Sequence, residues 1–155
     1  MKYGIICETR IGMLTLTCDG EALQSIEFGK IQREGVLWEE VGLLEAAKRE
    51  LLEYLEGRRR EFDLPLKPEG TEFQKRVWKA LLTIPYGETR SYGQIAAQIG
   101  NPKACRAVGM ANHKNPLPIV IPCHRVIGSG GSLVGYGGGL DRKVWLLKLE
   151  TPQQC

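Results

Sequence analysis

A cysteine and a histidine stand next to each other at Cys123 and His124, and these two residue types can perform nucleophilic catalysis. A thiol becomes a strong nucleophile when a base or a positive charge favours the thiolate, and His124 and Arg125 are candidates for both tasks. Neighbouring residues on an extended segment point to opposite sides, so contact between the thiol and the imidazole requires a turn or a bridging water. Without further context, such a dipeptide is more often a buried, inert cysteine beside a surface histidine.

The segment that contains this pair, residues 115–127, includes three prolines. They exclude a helix here and predict an extended, largely buried path. A glycine-rich stretch follows at residues 128–139, and its spacing does not fit the GxGxxG pattern of dinucleotide sites. These glycines predict a flexible loop, or a loop that another group approaches closely. A final helix is predicted over residues 140–150, because Pro152 stops it.

Two capping boxes, in which Ser or Thr is followed three residues later by Gln, predict helix starts before this segment. The first begins at Thr71 and predicts a helix to about residue 84. The second begins at Ser91 and predicts a short helix through residue 99, with Gly100 as a left-handed cap at its end.

Asn101 is predicted to cap a further helix, which has Pro102 at its first position and ends at about residue 112. The two short helices around Gly100 have the pattern of a helix-turn-helix. Small side chains on the second helix would allow close approach to a duplex, and basic residues lie on it or just beyond it: Lys103, Arg106 and Lys114. An ordinary helical hairpin in an α+β enzyme is the alternative interpretation.

The first half of the chain is predicted to be rich in strands. Three short runs at residues 3–8, 12–18 and 22–28 are separated by turn-like residues and indicate an antiparallel meander. Apolar residues at helical spacing predict an amphipathic helix over residues 37–57. Residues 62–66 are predicted to return as another strand.

The charge of the chain is divided unevenly. Residues 1–70 have ten basic and fourteen acidic residues, a net charge of −4, whereas residues 71–155 have eleven basic and four acidic residues, a net charge of +7. The change coincides with a linker-like segment at residues 67–70, so we expect two domains, 1–70 and 71–155. The basic half suits a polyanion, but charge alone favours nucleic acid no more than an unevenly charged, solvated surface.

Five cysteines without any CxxC spacing, and only two histidines, argue against a disulfide framework and against a metal site. We therefore expect no metal and no cofactor. No apolar run approaches the roughly 18 residues that a membrane span needs, and the N-terminus lacks the apolar stretch of a signal peptide. These features predict a soluble, cytoplasmic protein.

The segment from Ile121 to Ile127, with the sequence IPCHRVI, resembles the active-site signature of the O6-alkylguanine-DNA alkyltransferases. The resemblance extends over about residues 71–150 through FQKRVW, IPYG, TRSY, NPKA, RAVG, NP, GY and KVWLL. The N-terminal half is similar only as a strand-rich domain. This resemblance implies an α+β fold with a small strand-rich N-terminal domain and a mostly helical C-terminal catalytic domain that contains the helix-turn-helix.

The resemblance also implies catalytic roles. Cys123 resembles the thiolate that accepts the alkyl group from guanine O6, and His124 resembles the base that deprotonates it through a water. Glu150 resembles the carboxylate that orients and polarises His124. Asn115 resembles the hinge residue that ties the recognition helix to the active-site segment; without the resemblance, it reads as an Asx turn before a proline.

Further residues resemble those that handle the DNA. Tyr92 resembles the residue that helps rotate the target nucleotide and then hydrogen-bonds guanine N3, and Arg106 resembles the arginine that fills the space left by the flipped base. Flipping is required because the reacting atom lies inside the base stack. The pocket walls are expected from Val126, Tyr136 and the backbone near Gly137. DNA contacts are expected from Arg106, Lys103, Ala104, Lys114 and Arg125.

The function implied is direct repair of O6-alkylguanine in duplex DNA by one irreversible transfer to Cys123, performed by a monomer. One alternative is an alkyltransferase-like protein that binds lesions without accepting the alkyl group, but such proteins replace the reactive cysteine. A helix-turn-helix regulator is another, and it would need polar base-reading residues over 102–112, where small ones prevail. A Cys-His hydrolase is the third, and it would turn over repeatedly.

Overall fold

The computed structural model describes residues 1–128, 136 and 138–151. The chain divides into two compact units, Met1–Glu69 and Gly70–Cys155. The division falls in the segment where the sequence changes from net acidic to net basic. None of the helices in the described part of the chain combines the length and the apolar character that a bilayer span requires.

The first unit is a four-stranded sheet with one helix packed on it. Its elements are β1 (Lys2–Thr9), β2 (Gly12–Cys18), β3 (Leu23–Phe28), β4 (Val36–Trp38) and α1 (Gly42–Leu55). The first three strands form the predicted antiparallel meander, and the sheet order is β3-β2-β1-β4. Apolar residues of β2, β3 and α1 are buried and form the core, among them Leu14, Leu16, Leu23, Ile26, Leu44, Leu51 and Tyr54.

Two predictions for this unit were wrong. Residues 37 and 38, expected at the start of a long helix over 37–57, belong to β4, which pairs in parallel with β1, so α1 begins only at Gly42. The expected strand over residues 62–66 is reduced to an isolated bridge between Leu66 and Leu23. Pro65 has no N–H to continue a ladder; its carbonyl accepts the Leu23 N–H at 2.8 Å.

The second unit is mostly helical. Its elements are α2 (Glu72–Leu81), β5 (Arg90–Ser91), α3 (Tyr92–Gln98), α4 (Cys105–His113), a single 3₁₀ turn (Cys123–Arg125), β6 (Val126–Ile127) and α5 (Leu140–Glu150). The two short strands pair in parallel and bring the start of α3 beside the end of the 3₁₀ turn. The indole N–H of Trp78 on α2 donates to the carbonyl of Ala111 at 2.8 Å and fixes α4 against α2.

Both predicted capping boxes are confirmed. The hydroxyl of Thr71 accepts the Gln74 N–H at 3.1 Å, and the Gln74 side chain accepts the Thr71 N–H at 2.9 Å. Ser91 and Gln94 make the same pair of bonds at 3.1 and 2.8 Å. Tyr92 therefore has a fixed position as the first residue of α3.

The predicted start of the next helix was wrong by three residues. Gly100 has the expected left-handed conformation, with φ of 81°. Asn101 does not cap the helix: its carbonyl accepts the Ala104 N–H at 3.0 Å and closes a turn that contains Pro102. Helix α4 consequently begins at Cys105, with Ala104 at the N-cap. The helix-turn-helix pattern is retained with a longer connection.

Candidate active site around Cys123

Cys123 is the first residue of the 3₁₀ turn and is 4% exposed. The turn is closed by the Arg125 N–H, which donates to the carbonyl of Pro122 at 3.0 Å. Cys123, His124 and Arg125 are buried, as predicted for the segment 115–127. The prediction of an extended backbone was wrong at these three residues, which form the turn. The turn removes the alternating orientation that an extended chain would impose on Cys123 and His124.

A residue with a left-handed backbone conformation lies four positions before Cys123. Ile119 has φ of 76°, the one positive φ among the described residues other than glycine, and it is 1% exposed. The conformation is unfavourable for a β-branched side chain. It lies within a hydrogen-bonded turn in which the Ile121 N–H donates to the carbonyl of Leu117 at 2.8 Å, and it directs the Ile119 N–H to the Cys123 thiol.

The thiol is protonated at neutral pH. Burial raises the pKa of Cys123 to about 11, although several neighbours act in the other direction. The Asn115 amide, the Lys143 ammonium, and the backbone N–H groups of Cys123 and Ile119 each lower that pKa. The pocket therefore favours the thiol at rest but has donors and a cation directed at the sulfur.

His124 and Glu150 form a buried pair. Nε2 of His124 lies 2.8 Å from Oε2 of Glu150, and the two side chains are 0% and 2% exposed. Burial lowers the pKa of His124, and the hydrogen bond to Glu150 only partly offsets this effect. The imidazole is therefore neutral at pH 7, with the Nε2 proton held by the carboxylate and the lone pair on Nδ1.

Arg125 lies in the interior, so the prediction that it contacts DNA was wrong. It is 7% exposed. Its Nε and Nη2 donate to the two oxygens of Glu150, each at 2.7 Å, and its Nη1 donates to the carbonyl of Ile84 at 2.7 Å. The guanidinium also lies over the ring of Tyr86, 5.7 Å from its centre. Arg125 thus fixes the carboxylate that holds His124.

Sequence analysis missed Lys143. This residue of α5 is 0% exposed, and its Nζ donates to the carbonyl of Val126 at 2.6 Å. Burial lowers the pKa of Lys143, and the nearby Cys123 partly opposes this change. The spacing offered a signal, because Lys143, Leu146 and Glu150 are at i, i+3 and i+7 and share one helix face.

The side chains of two asparagines hold the segment that contains Cys123, and one of them belongs to α4. Asn115, predicted as a hinge, donates from Nδ2 to the carbonyl of Ile121 at 2.8 Å and accepts the Leu117 N–H at 3.0 Å. Asn112, which the sequence did not single out, donates from Nδ2 to the carbonyl of Cys123 at 3.3 Å.

Tyr92 lies close to the nucleophile. It is half-buried, and its ring lies against Gly109 of α4. A Cβ added to Gly109 would be 3.9 Å from the ring, in ordinary van der Waals contact. Burial raises the pKa of Tyr92, the charge of Cys123 raises it further, and a hydrogen bond with Asn112 lowers it. Of the predicted pocket walls, Val126 and Tyr136 are buried, whereas Gly137 lies outside the described residues.

The predicted DNA-binding residues other than Arg125 lie on or beside α4. Lys103, Arg106 and Lys114 are exposed, and Ala104 is partly exposed at the N-cap. Helix α4 contains no acidic residue. Within the described ranges, no three His, Cys, Asp or Glu side chains are grouped as metal ligands would be.

The fold and the site define an α+β protein that combines a buried Cys-His-Glu arrangement with a basic helix-turn-helix. Two family models match the chain: the ribonuclease-like domain of 6-O-methylguanine DNA methyltransferase over residues 1–68, and the DNA binding domain of the same family over residues 72–152. The chain belongs to the 6-O-methylguanine DNA methyltransferase family, as the sequence resemblance predicted.

Individual relatives agree with this assignment. The methylated-DNA--protein-cysteine methyltransferase of Methanosarcina acetivorans is 52% identical over 152 residues, which span 96% of this chain and 97% of the relative. That of Mycobacterium leprae is 51% identical, over 94% and 90% of the two chains. Among solved structures, Mycobacterium tuberculosis OGT in complex with DNA superposes with a TM-score of 0.90 at 50% identity, over 96% and 92% of the two chains. The α+β fold prediction is confirmed.

Proposed function

We propose that the chain repairs O6-alkylguanine in duplex DNA by moving the alkyl group to Cys123, once per molecule. The observation that best supports this proposal is the buried thiol of Cys123 beside the hydrogen-bonded pair of His124 and Glu150. The relatives at about 50% identity share the name methylated-DNA--protein-cysteine methyltransferase, and the chain is an enzyme of this class. DNA is its partner, and we expect it to act as a monomer.

The reaction begins with removal of the thiol proton. His124 is neutral and accepts the proton from Cys123 through a water on its Nδ1 side. Glu150 holds the opposite side of the ring at 2.8 Å and stabilises the imidazolium that forms. Arg125 keeps the carboxylate oriented through two bonds of 2.7 Å.

The sulfur then displaces guanine from the alkyl carbon. The new S–C bond forms as the C–O6 bond breaks, and the electron pair of the broken bond passes to the base, which takes up a proton and leaves as guanine. Lys143 and the N–H of Ile119 stabilise the negative sulfur before the bond forms. The thioether has no hydrolysable bond, so Cys123 is not regenerated.

Helix α4 is the proposed DNA-binding element. Its exposed cations, Lys103 and Arg106, together with Lys114 after the helix, suit the phosphate backbone. Arg106 fills the space left by the extruded nucleotide, and Tyr92 promotes extrusion and then hydrogen-bonds guanine N3. Val126 and Tyr136 line the pocket that receives the base.

The direct test is the intact mass of the protein after incubation with duplex DNA containing O6-methylguanine. The mass should rise by one methyl group per protein, and peptide mapping should place it on Cys123. Cys105 serves as an internal control, because it is the exposed cysteine among those described. Methyl on Cys105, or several lesions repaired by one molecule, would contradict the proposal.

A further inference from the structure

Glu150 is the last residue of α5, so the carboxylate that holds His124 is attached to a helix end. Helix ends fray, and the last four carbonyls of a helix have no partner within it. At this end, one of these carbonyls has a donor from a distant part of the chain. The hydroxyl of Tyr86, 63 residues earlier, donates to the carbonyl of Leu149 at 3.2 Å. The phenol therefore holds the turn of helix from which Glu150 projects.

The turn that contains Tyr86 also contacts Arg125, which holds the same carboxylate. The guanidinium of Arg125 lies over the ring of Tyr86, 5.7 Å from its centre, and donates to the carbonyl of Ile84 at 2.7 Å. Gly87 lies so close to the end of α5 that an added Cβ would be 3.1 Å from the carbonyl of Glu150. This turn thus contacts both the backbone of Glu150 and the side chain that orients its carboxylate.

We propose that Tyr86 is a positioning residue for the alkyl transfer: its hydroxyl and its ring keep the Glu150 carboxylate in contact with His124. The hydroxyl fixes the backbone of α5, and the ring fixes the guanidinium that donates twice to the carboxylate. The proposal rests on the proposed function, because Tyr86 acts only through the base that deprotonates Cys123.

The charged groups that face His124 show what a displaced carboxylate would change. Burial lowers the pKa of His124 most, and the hydrogen bond and the charge of Glu150 raise it. The two other charged groups, Arg125 and Lys143, lower it. If Glu150 moves away, the imidazole is left buried with two cations and becomes a weaker base. Loss of the Tyr86 contacts should therefore slow removal of the thiol proton.

The experiment measures single-turnover alkylation of the full chain by free O6-benzylguanine, which requires no DNA. Tyr86→Phe keeps the ring and loses the hydroxyl, and its rate at pH 7 should be roughly 5-fold lower than that of the wild type. Tyr86→Leu loses both contacts, and its rate should be about 30-fold lower. Tyr3→Phe, in the first unit, is the matched control and should react at the wild-type rate.

Two further readouts separate positioning from a merely structural role. The Cys123 thiol has a pKa of about 11, so both deficits should narrow towards about pH 10, where part of the thiol ionises without a base. In a Glu150→Gln background, the carboxylate that Tyr86 positions is replaced by an amide. There Tyr86→Phe should lower the rate by less than about 2-fold, because the two residues act as a unit.

Tyr86→Phe at the wild-type rate overturns the proposal. A Tyr86→Phe deficit that is equal at every pH, or that is undiminished in the Glu150→Gln background, also overturns it. If Tyr86→Leu does not fold, the comparisons made with Tyr86→Phe decide the outcome by themselves. Failure of the proposed function is distinct: free O6-benzylguanine would then leave the wild-type protein unalkylated at every pH.

Discussion

The thiol of Cys123 is a weak acid, yet the groups around its sulfur stabilise a thiolate. A pKa of about 11 leaves roughly one thiolate in ten thousand molecules at pH 7. Donors from Asn115 and Ile119 and the charge of Lys143 nevertheless face the sulfur. They stabilise a charge that arises when the proton leaves, so the rate depends on the group that accepts it. The neutral His124 is in place for this task.

The pH dependence of the reaction should reveal this base. With free O6-benzylguanine, the wild-type rate should be level from about pH 7 to about pH 9 and should fall in acid only below the ordinary histidine pKa of about 6.5, because burial lowers the pKa of His124. His124→Ala must use preformed thiolate, so its rate should be much lower at pH 7 and should rise about tenfold per pH unit towards pH 11. Single-turnover rates across this range provide the measurement. A level profile in His124→Ala would exclude His124 as the proton acceptor.

Arg125 is expected to contribute to stability and not to DNA binding. Arg125→Ala leaves the Glu150 carboxylate buried without its cation, which should lower the free energy of unfolding by about 3 kcal/mol. Lys103→Ala, on the exposed surface, should leave unfolding nearly unchanged and weaken DNA binding. Denaturant unfolding and binding to an undamaged duplex separate the two effects. If Arg125→Ala instead weakened DNA binding and left the free energy of unfolding unchanged, Arg125 would belong to the DNA interface.

At the scale of elements, α4, the proposed DNA-binding helix, and the turn that contains Cys123 are directly connected. Asn112 at the end of α4 bonds the backbone of Cys123, and β5 pairs with β6 so that Tyr92 starts its helix beside the same turn. In the proposed function, a duplex on α4 would therefore present its extruded nucleotide to a cysteine whose position is set by the same helix.

The proposed role of Arg106 on α4 in extruding the nucleotide can be tested separately from the chemical step. Arg106→Ala should slow repair of O6-methylguanine in duplex DNA at least 10-fold more than reaction with free O6-benzylguanine, which needs no flipping. Glu150→Gln should slow both substrates to a similar extent, because both need the activated thiol. The measured quantity is the ratio of the duplex rate to the free-base rate in each variant. An equal loss on both substrates in Arg106→Ala would assign it a structural role.

Elements with local signals were predicted well, and those that depend on distant partners were not. The capping boxes at Thr71 and Ser91 require only residues three apart, and the last helix ends at Glu150, two positions before a proline in the sequence. Strand β4 exists because it pairs with β1, and the 3₁₀ turn at Cys123 lies in a buried segment; neither is marked by local spacing.

The same limit applies to the site. The chemistry of Cys123 and His124 was visible in the sequence, and so was the carboxylate of Glu150 through the family resemblance. Arg125 was expected to contact DNA, whereas the fold places it against Glu150; basic residues are usually exposed, and the sequence does not mark this one as buried. Lys143 and Asn112 were missed because their importance lies in burial, which only the packed structure reveals.

At the scale of the whole molecule, the charge is unevenly distributed between the units. The second half of the chain has the net charge of +7, but the cations of Arg125 and Lys143 are buried and are not free to meet phosphate. The attraction for DNA must therefore come from exposed cations such as Lys103, Arg106 and Lys114.

DNA affinity should fall steeply with added salt, because bound counterions are released when cations meet phosphates. Lys103→Gln and Lys114→Gln should each reduce the slope of log affinity against log salt by about one and weaken all sequences alike. Lys30→Gln, an exposed lysine in the acidic unit, is the matched control and should leave the slope unchanged. Fluorescence anisotropy over a salt series gives the slopes. An affinity independent of salt would contradict an electrostatic interface.

The left-handed backbone at Ile119 has a consequence for the protein after it has reacted. The unfavourable φ of 76° directs the Ile119 N–H at the sulfur of Cys123, a residue that is only 4% exposed. A methyl group added to this buried sulfur crowds the groups that face it, while the cost of the Ile119 conformation remains. Residues 117–122 should then open more often, and their amide hydrogens should exchange faster in the methylated protein than in the free one. Equal exchange in both forms would show that the turn is held by its packing alone.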